Sequence, residues 1–340
     1  MKMRQLGQRP ASIRTALVLS GGGAKGAYQI GVIRGLICRG IKPDLIVGSS
    51  IGAFNGALLA ECIKMGLPAE DICQRLAGAW SRVGRFLRLN WEELFKKLLN
   101  LQPLALSSVY STKEVSRLFR DYVSPGRSFH EYYESQLSVI GTNLDKKSSQ
   151  VFDFNSQIAV EQAVMASMAY PVAYPSQKIG PDHYIDGGAL NNAPLKEAIL
   201  WGAREIYLVF LTPLSEIETG EPVDPGLEDR EQLSALEVMD RFLELAGTHL
   251  MYADFRKARR INHLLRLLNR YEPELPAGFV DELCDLFKLK KGEGKRLVKI
   301  HQIAPETTLK PPGTIGFDQD QLLQDLIKKG EQAAAALFQD

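Results

Sequence analysis

Two stretches decide the fold: Thr15-Ala-Leu-Val-Leu-Ser-Gly-Gly-Gly-Ala-Lys-Gly26 and Asp44-Leu-Ile-Val-Gly-Ser-Ser-Ile-Gly52. In each, a short apolar run runs into a glycine-bearing turn, and a helical pattern follows, near 24–39 and over Ile51–Met65. A strand feeding a helix twice within 50 residues is the pattern of a parallel, doubly wound sheet.

Working outward, Gln136–Gly141, Tyr184–Asp186 and Glu205–Leu211 read as further strands, with helices near 157–167 and 194–202 between them. Residues 66–135 read as an inserted, mostly helical stretch, in which Asn90-Trp-Glu-Glu93 has the form of a capped helix start. The acid- and proline-bearing segment 214–231 reads as a solvated loop. After it, 232–268 carries Leu236, Met239, Phe242, Leu243, Ala246, Leu250 and Met251 at helical spacing. Val298–Ile303 reads as one more strand and Gln319–Phe338 as a closing helix. The expected division is an α/β domain over 13–213 and a mostly helical C-terminal extension over 214–340 that packs on it.

The composition is that of a soluble globular chain, 45% apolar and 24% charged, which excludes disordered and collagen-like classes. The net charge of +1 excludes a globally basic nucleic-acid binder. That sum hides an asymmetry: residues 1–43 carry eight basic side chains and no acidic one, and the remainder is at −7. Cys38, Cys62, Cys73 and Cys284 are widely spaced with no Cys-x-x-Cys pair, so reduced, buried thiols are expected. The apolar run Ala16–Leu19 is too short for a signal peptide, and Leu45–Ala60 and Gln162–Gln177 are too short and too polar to span a bilayer. The expected location is cytoplasmic, with contact at a membrane surface open.

Gly48-Ser-Ser-Ile-Gly52 fits G-x-S-x-G at a strand–helix junction, where the turn is so tight that the flanking glycines are needed and Ser50 is thrust out over the sheet edge. Gly21-Gly-Gly-Ala-Lys-Gly26 fits G-x-G-x-x-G, and two uses compete for it. A dinucleotide site expects an acidic residue at the end of the second strand, but Asp44 stands at its beginning. The other use is an oxyanion hole, in which glycine N–H groups at a helix start donate to charge developing on a carbonyl oxygen. The small residues Gly23, Ala27, Gly31 and Gly35, and Gly52, Gly56 and Ala60, line one face of each following helix. They imply either that these two helices pack tightly on each other, bringing the glycine loop beside Ser50, or an ordinary helix–sheet contact.

A serine hydrolase with a histidine base needs one downstream of Ser50. His183 sits just before Tyr184-Ile-Asp-Gly-Gly188, and His249 and His263 lack a third metal ligand; they read as ordinary helix residues. Asp186, ending a strand before two glycines, either points along the sheet edge toward Ser50 or is a structural turn residue. As a base it needs partial desolvation, because an ordinary carboxylate with a pKa near 4 is weak toward a hydroxyl.

Taken together, Gly21-Gly-Gly-Ala-Lys-Gly26, Gly48-Ser-Ser-Ile-Gly52 and Asp186-Gly-Gly188, in that order, resemble the patatin-like phospholipase family. Gly141-Thr-Asn-Leu-Asp145, Ala166-Ser-Met-Ala-Tyr-Pro171 and Asn191-Asn-Ala-Pro194 support the resemblance, which covers residues 13–211. It implies a three-layer α/β/α fold with a mainly parallel sheet and a Ser-Asp dyad that uses neither histidine nor metal nor cofactor. Carried over by position, Ser50 is the nucleophile and Asp186 the base. The N–H groups of Gly21, Gly22 and Gly23 form the oxyanion hole. Lys25 fills the family's basic position, and Gly26, Gly48, Gly52, Gly187 and Gly188 support the motifs. Tyr170 stands where many members carry a smaller aliphatic residue.

The implied partner is a lipid ester, and no nucleic acid is expected. Trp80, Phe86, Trp91, Phe95 and neighbouring leucines, interleaved with Arg82, Arg85, Arg88, Lys96 and Lys97, fit either an interfacial lid or packing on the sheet. Lys288, Lys290, Lys291, Lys295 and Arg296 read as a soluble loop. The leading function is a lipid acyl hydrolase on phospholipid, lysophospholipid or glyceride esters; the alternatives are a nucleotide-binding enzyme and a catalytically silent lipid-binding protein. The basic front end is expected to face the active-site mouth.

Overall fold

The computed structural model describes residues 13–86, 112–171, 173–219, 235–271, 278–279, 282, 297–310, 317 and 319–339. The first half of the chain forms β1 (Thr15–Leu19), α1 (Gly26–Ile37), β2 (Leu45–Ser49), α2 (Ile51–Lys64), α3 (Ala69–Phe86), α4 (Thr112–Tyr122), β3 (Gln136–Asn143) and β4 (Ser148–Phe152). The second half forms α5 (Val160–Ser167), β5 (Gln177–Ile179), β6 (Asp182–Asp186), α6 (Leu195–Leu200), β7 (Glu205–Val209), α7 (Leu214–Thr219), α8 (Ala235–Tyr271), β8 (Lys299–Ile303) and α9 (Asp320–Ala336).

The strands make one sheet in the order β5-β6-β3-β2-β1-β7-β8, with β4 also paired to β3. The pairings among β3, β2, β1, β7 and β8 are parallel, whereas β4, β5 and β6 join antiparallel. Strand alternation builds the layers. Leu17 and Leu19 of β1, Ile46 of β2 and Tyr207 and Val209 of β7 face one core, with α1, α2, α3, α5 and α9. Ala16, Val18, Leu45, Val47, Ile206 and Leu208 face a second core, with Leu195 of α6 and Met251 and Phe255 of α8. Because both faces are covered, the central strands carry no polar side and read as continuous apolar runs. The architecture is three-layer α/β/α with a mainly parallel sheet. β4 and β5 escaped the sequence reading because they are short and polar-flanked.

The C-terminal part is built into this architecture: β8 lengthens the sheet beside β7, and α9 lies on α1. The small stripe on α1 serves that contact. A Cβ at Gly31 would lie 1.9 Å from the Ile327 carbonyl oxygen, and one at Gly35 would lie 2.5 Å from Ala334 Cβ. Gly330 of α9 approaches the Tyr28 carbonyl in return. On α2, Gly52 and Gly56 meet β1 and β2. The expectation that the two stripes pack against each other is therefore corrected; the backbones need small residues, but for other partners.

Four more expectations change. Segment 214–231 begins with helix α7 rather than a loop, and its residues beyond Thr219 lie outside the described ones. On α8 the buried face is Gly247, Met251, Phe255, Ala258 and Leu265, whereas Phe242 and Leu250 are exposed. Cys38 is exposed at the end of α1, its Sγ 3.4 Å from that of buried Cys73. Arg34, Arg39 and Lys42 lie at or beyond the far end of α1 from the glycine loop, a rise of 1.5 Å per residue carrying them away from it. Arg34 there pairs with Glu331 and Lys42 with Glu134, so the basic front end does not face the mouth as a unit. The proposed helix start at Asn90, the basic and apolar residues 87–101, and the lysine-rich segment near 288–296 lie outside the described residues. Arg82 on α3 ion-pairs with Asp121 at 2.6 Å, and Trp80 is core. No helix among the described residues is long and apolar enough to cross a membrane.

Candidate active site

The sheet register brings two distant residues together. β3 pairs with β2 as far as Ser49↔Ile140, and with β6 from Gly141↔Asp186 onward. The ladder along β3 thus passes from β2 to β6 between consecutive residues. That transfer sets the end of β6 against the end of β2, where the turn to α2 begins.

Ser50 occupies that turn with φ 54° and ψ −126°, a left-handed conformation costly for a residue with a side chain. Its neighbours hold it there. A Cβ at Gly48 would lie 2.3 Å from the Gly52 carbonyl oxygen, and one at Gly52 would lie 2.4 Å from that of Leu19, so both positions require glycine. The Ser50 N–H donates to Ser167 Oγ at 2.8 Å, which ties the turn to the end of α5.

Ser50 Oγ donates to Asp186 Oδ2 at 2.5 Å, and Gly188 N–H donates to Asp186 Oδ1 at 2.7 Å. Gly187 follows so closely that a Cβ on it would sit 2.2 Å from the Ile140 carbonyl oxygen. Asp186 is 3% exposed. Burial disfavours its charged form and pushes its pKa up to about 7; the hydrogen bonds from Ser50 and Gly188 pull the other way and recover only part of that loss. The desolvation that the sequence reading required of an effective carboxylate base is therefore present at this position.

The glycine loop lies alongside. Gly22 and Gly23 have φ of 156° and 56°, backbone that a side chain would strain. A Cβ at Gly21 would lie 2.9 Å from Ser50 Cβ. Gly21 N–H is engaged by Asn192, at 3.2 Å from its carbonyl oxygen and 3.0 Å from its Oδ1. The expectation of three free donors changes at Gly21: among the described residues, Gly22 and Gly23 are the glycines of that trio whose N–H groups have no hydrogen-bond partner. Lys25 is 4% exposed and ion-pairs with Glu244 of α8. Gly26 packs on Ile51, which a Cβ would meet at 2.5 Å.

Ser50, Asp186, Gly21, Gly22, Gly23 and Lys25 line a cavity of about 90 Å³. Met168, Tyr170, Pro171, Leu211 and Phe317 supply an apolar wall, and Glu244, Gly247 and Thr248 of α8 close one side. No histidine of the described residues lines it. His183 is instead at the surface beside Asp145, and exposed His249 and His263 lie on α8. Asp44 Oδ2 accepts from the N–H groups of Arg14 and Thr15 at the end of β1 away from the glycine loop, so it does not stand where a dinucleotide site on that loop needs its acidic residue. Ser167, Asn192 and Glu244 went unread in the sequence as site residues. The first two stand inside stretches noted only as motif support, and Glu244 carries no local signal.

The sequence pattern of the family described as patatin-like phospholipase matches residues 17–199. A lysophospholipase of Aspergillus terreus is 43% identical over 205 residues, 60% of this chain and 12% of that one. A patatin-like phospholipase domain-containing protein of Caenorhabditis elegans is 26% identical over 326 residues, 95% of this chain and 20% of that one. The chain thus spans a fifth or less of the length of these curated relatives. Among solved structures, VipD of Legionella pneumophila aligns with a TM-score of 0.42 at 15% identity, over 96% of this chain and 67% of that one.

Proposed function

The chain belongs to the patatin-like phospholipase family, and on that premise we propose that it is a serine-dependent lipid acyl hydrolase working through Ser50 and Asp186. The observation that carries this reading is the 2.5 Å hydrogen bond from Ser50 Oγ to a buried carboxylate with its pKa raised to about 7. A base with a pKa near the working pH is both unprotonated and basic enough to take a proton in the transition state.

Asp186 accepts the Ser50 proton as Oγ attacks the ester carbonyl carbon. The N–H groups of Gly22 and Gly23 donate to the oxyanion, a contribution on the order of 10²–10³ in rate per donor in comparable sites. The tetrahedral intermediate collapses to an acyl-serine, and the leaving alcohol takes the proton from Asp186. Water then attacks the acyl-serine with Asp186 as base, and Ser50 is regenerated as the fatty acid leaves.

The substrate placed first is a lysophospholipid, on the strength of the 43% identity to a protein named lysophospholipase; diacyl phospholipids and neutral glycerides follow. The same reading takes 13–213 as the catalytic domain and 214–340 as an extension that supplies the α8 wall of the cavity, with lipid reached by contact at a membrane surface. Hydrolysis of a panel of lysophospholipid, phospholipid and glyceride tests it, with Ser50→Ala as blank. Loss of turnover by at least 10³-fold in folded Ser50→Ala and Asp186→Asn proteins is expected. Most of the activity surviving in either would overturn the assignment.

A further inference from the structure

We infer that Gln29, Asn55 and Trp80 form a buried positioning chain that holds the glycine loop in its donor conformation, with the Trp80 N–H anchoring the end of the chain away from the loop. This inference rests on the reading of that loop as the oxyanion hole.

The loop needs an outside support. Gly22 and Gly23 have no side chains to restrain them, and glycine adopts many backbone conformations with equal ease. The two carbonyls that bracket the loop are both held by side-chain amides from the interior. Gln29 Nε2 donates to the Ser20 carbonyl oxygen at 2.6 Å, and Asn55 Nδ2 donates to that of Gly26 at 3.0 Å. Asn55 Nδ2 also donates to Gln29 Oε1 at 2.9 Å, and Trp80 Nε1 donates to Asn55 Oδ1 at 2.8 Å. Gln29, Asn55 and Trp80 come from α1, α2 and α3 and are 0%, 0% and 1% exposed. Buried amides carry a large desolvation cost unless their hydrogen-bonding groups are met. Here Asn55 has both amide hydrogens and its oxygen engaged.

The direction of these bonds is fixed from both ends, by the Ser20 and Gly26 carbonyls, which only accept, and by the Trp80 indole, which only donates. An indole N–H only donates, so Asn55 must turn Oδ1 toward Trp80. Its Nδ2 then faces the Gly26 carbonyl and Gln29 Oε1. Gln29, with its oxygen so engaged, can present only its amide nitrogen to Ser20. A flipped Asn55 would set its amide hydrogens against the indole N–H and its oxygen against two acceptors. Trp80 also stacks on Phe317 of the cavity wall, ring centroids 6.2 Å apart, so the chain runs from that wall through the core to the base of the loop.

Trp80→Phe keeps a ring in the core and removes the N–H; Asn55→Asp keeps the acceptor for Trp80 and removes both donors. In either variant kcat on the best lipid of the panel is expected to fall about tenfold or more with KM within twofold, the mark of an interaction made chiefly in the transition state. Affinity for a trifluoromethyl ketone that mimics the tetrahedral adduct falls in parallel, and amide hydrogen exchange at Gly22–Ala24 quickens. The double variant is no worse than the worse single, because the residues act as one chain. Folded single variants whose kcat, ketone affinity and loop exchange stay within twofold of the parent overturn the inference, as do strictly additive losses. Exchange needs no turnover, so the chain is tested even if Ser50→Ala stays active and the acyl-serine reading falls. Asn55→Ser provides the same tests if the aspartate variant does not fold.

Discussion

Asp186 and Ser50 are 136 residues apart in sequence, yet Ser50 Oγ and Asp186 Oδ2 lie 2.5 Å apart, because β3 hands its pairing from β2 to β6 at that level of the sheet. The carboxylate ends up buried with the serine hydroxyl and one backbone N–H as its partners. Its raised pKa follows from that burial, and both the pH dependence of catalysis and that of stability follow from the pKa.

Asp186 with a pKa raised to about 7 is protonated at lower pH and is then too weak a base to take the Ser50 proton. The kcat/KM for a neutral, soluble ester is expected to rise about tenfold per pH unit below 7 and to level off above it. A stopped assay from pH 5 to 9 checks this; a flat profile with the fold intact rules out Asp186 as the titrating base.

Stability carries the opposite sign. An unfolded aspartate has a pKa near 3.9, so the native state holds its proton more tightly. The protonated native form is thus at its full relative stability below pH 4, and that advantage is lost as pH rises through about 7. Asp186→Asn abolishes the penalty and is expected to be more stable than the parent at pH 8, by an amount on the order of a few kcal/mol, and close to it at pH 4. Denaturant titrations at the two pH values measure the difference.

Gly31 and Gly78 are both helical glycines, and their alanine variants are expected to diverge. At Gly31 a Cβ meets backbone of α9, Ile327 oxygen at 1.9 Å and Glu331 nitrogen at 2.8 Å, so Gly31→Ala forces the two helices apart at a cost of about 1–3 kcal/mol. At Gly78 the nearest atom is Tyr122 Oη at 3.8 Å, so Gly78→Ala keeps the gain of up to ~1 kcal/mol that alanine brings to a helix. Urea midpoints for the pair provide the measurement, and equal shifts would show that α9 does not seat on α1 this closely.

Asn192 supports the loop at Gly21 N–H, a different group from the Ser20 and Gly26 carbonyls that Gln29 and Asn55 hold. Asn192→Ala leaves Gly21 N–H one acceptor, the backbone carbonyl of residue 192, in place of two. A loop displaced by a fraction of an ångström puts its donors off the developing oxyanion, and kcat is expected to fall about tenfold with little change in KM. Steady-state kinetics on a single lipid check it; a rise in KM at constant kcat would assign Asn192 to substrate binding instead.

The periods of the sequence determined much of this. Apolar runs ending in glycine turns specify strand–turn–helix units whatever surrounds them, and G-x-S-x-G at such a junction marks Ser50 because only glycine fits where Gly48 and Gly52 touch backbone. Asp186 is readable as a strand-ending carboxylate before two glycines, but whether it points at Ser50 or only shapes the turn is not, because no local pattern encodes its pairing with Gly141 of β3. The small stripe on α1 was legible as a close contact, whereas its partner, α9, was not. Close approach leaves a mark on both helices but none on which pair meets. The same holds for Gln29, Asn55 and Trp80: nothing in the helical pattern around each one names its partner, and their hydrogen bonds exist only after three helices have packed. What the chain encodes locally is conformation, since that depends on a residue and its neighbours. The partners of Asp186, Gly21 and Asn55 were decided only by the tertiary structure, because burial and hydrogen bonding belong to pairs of residues that the fold brings together.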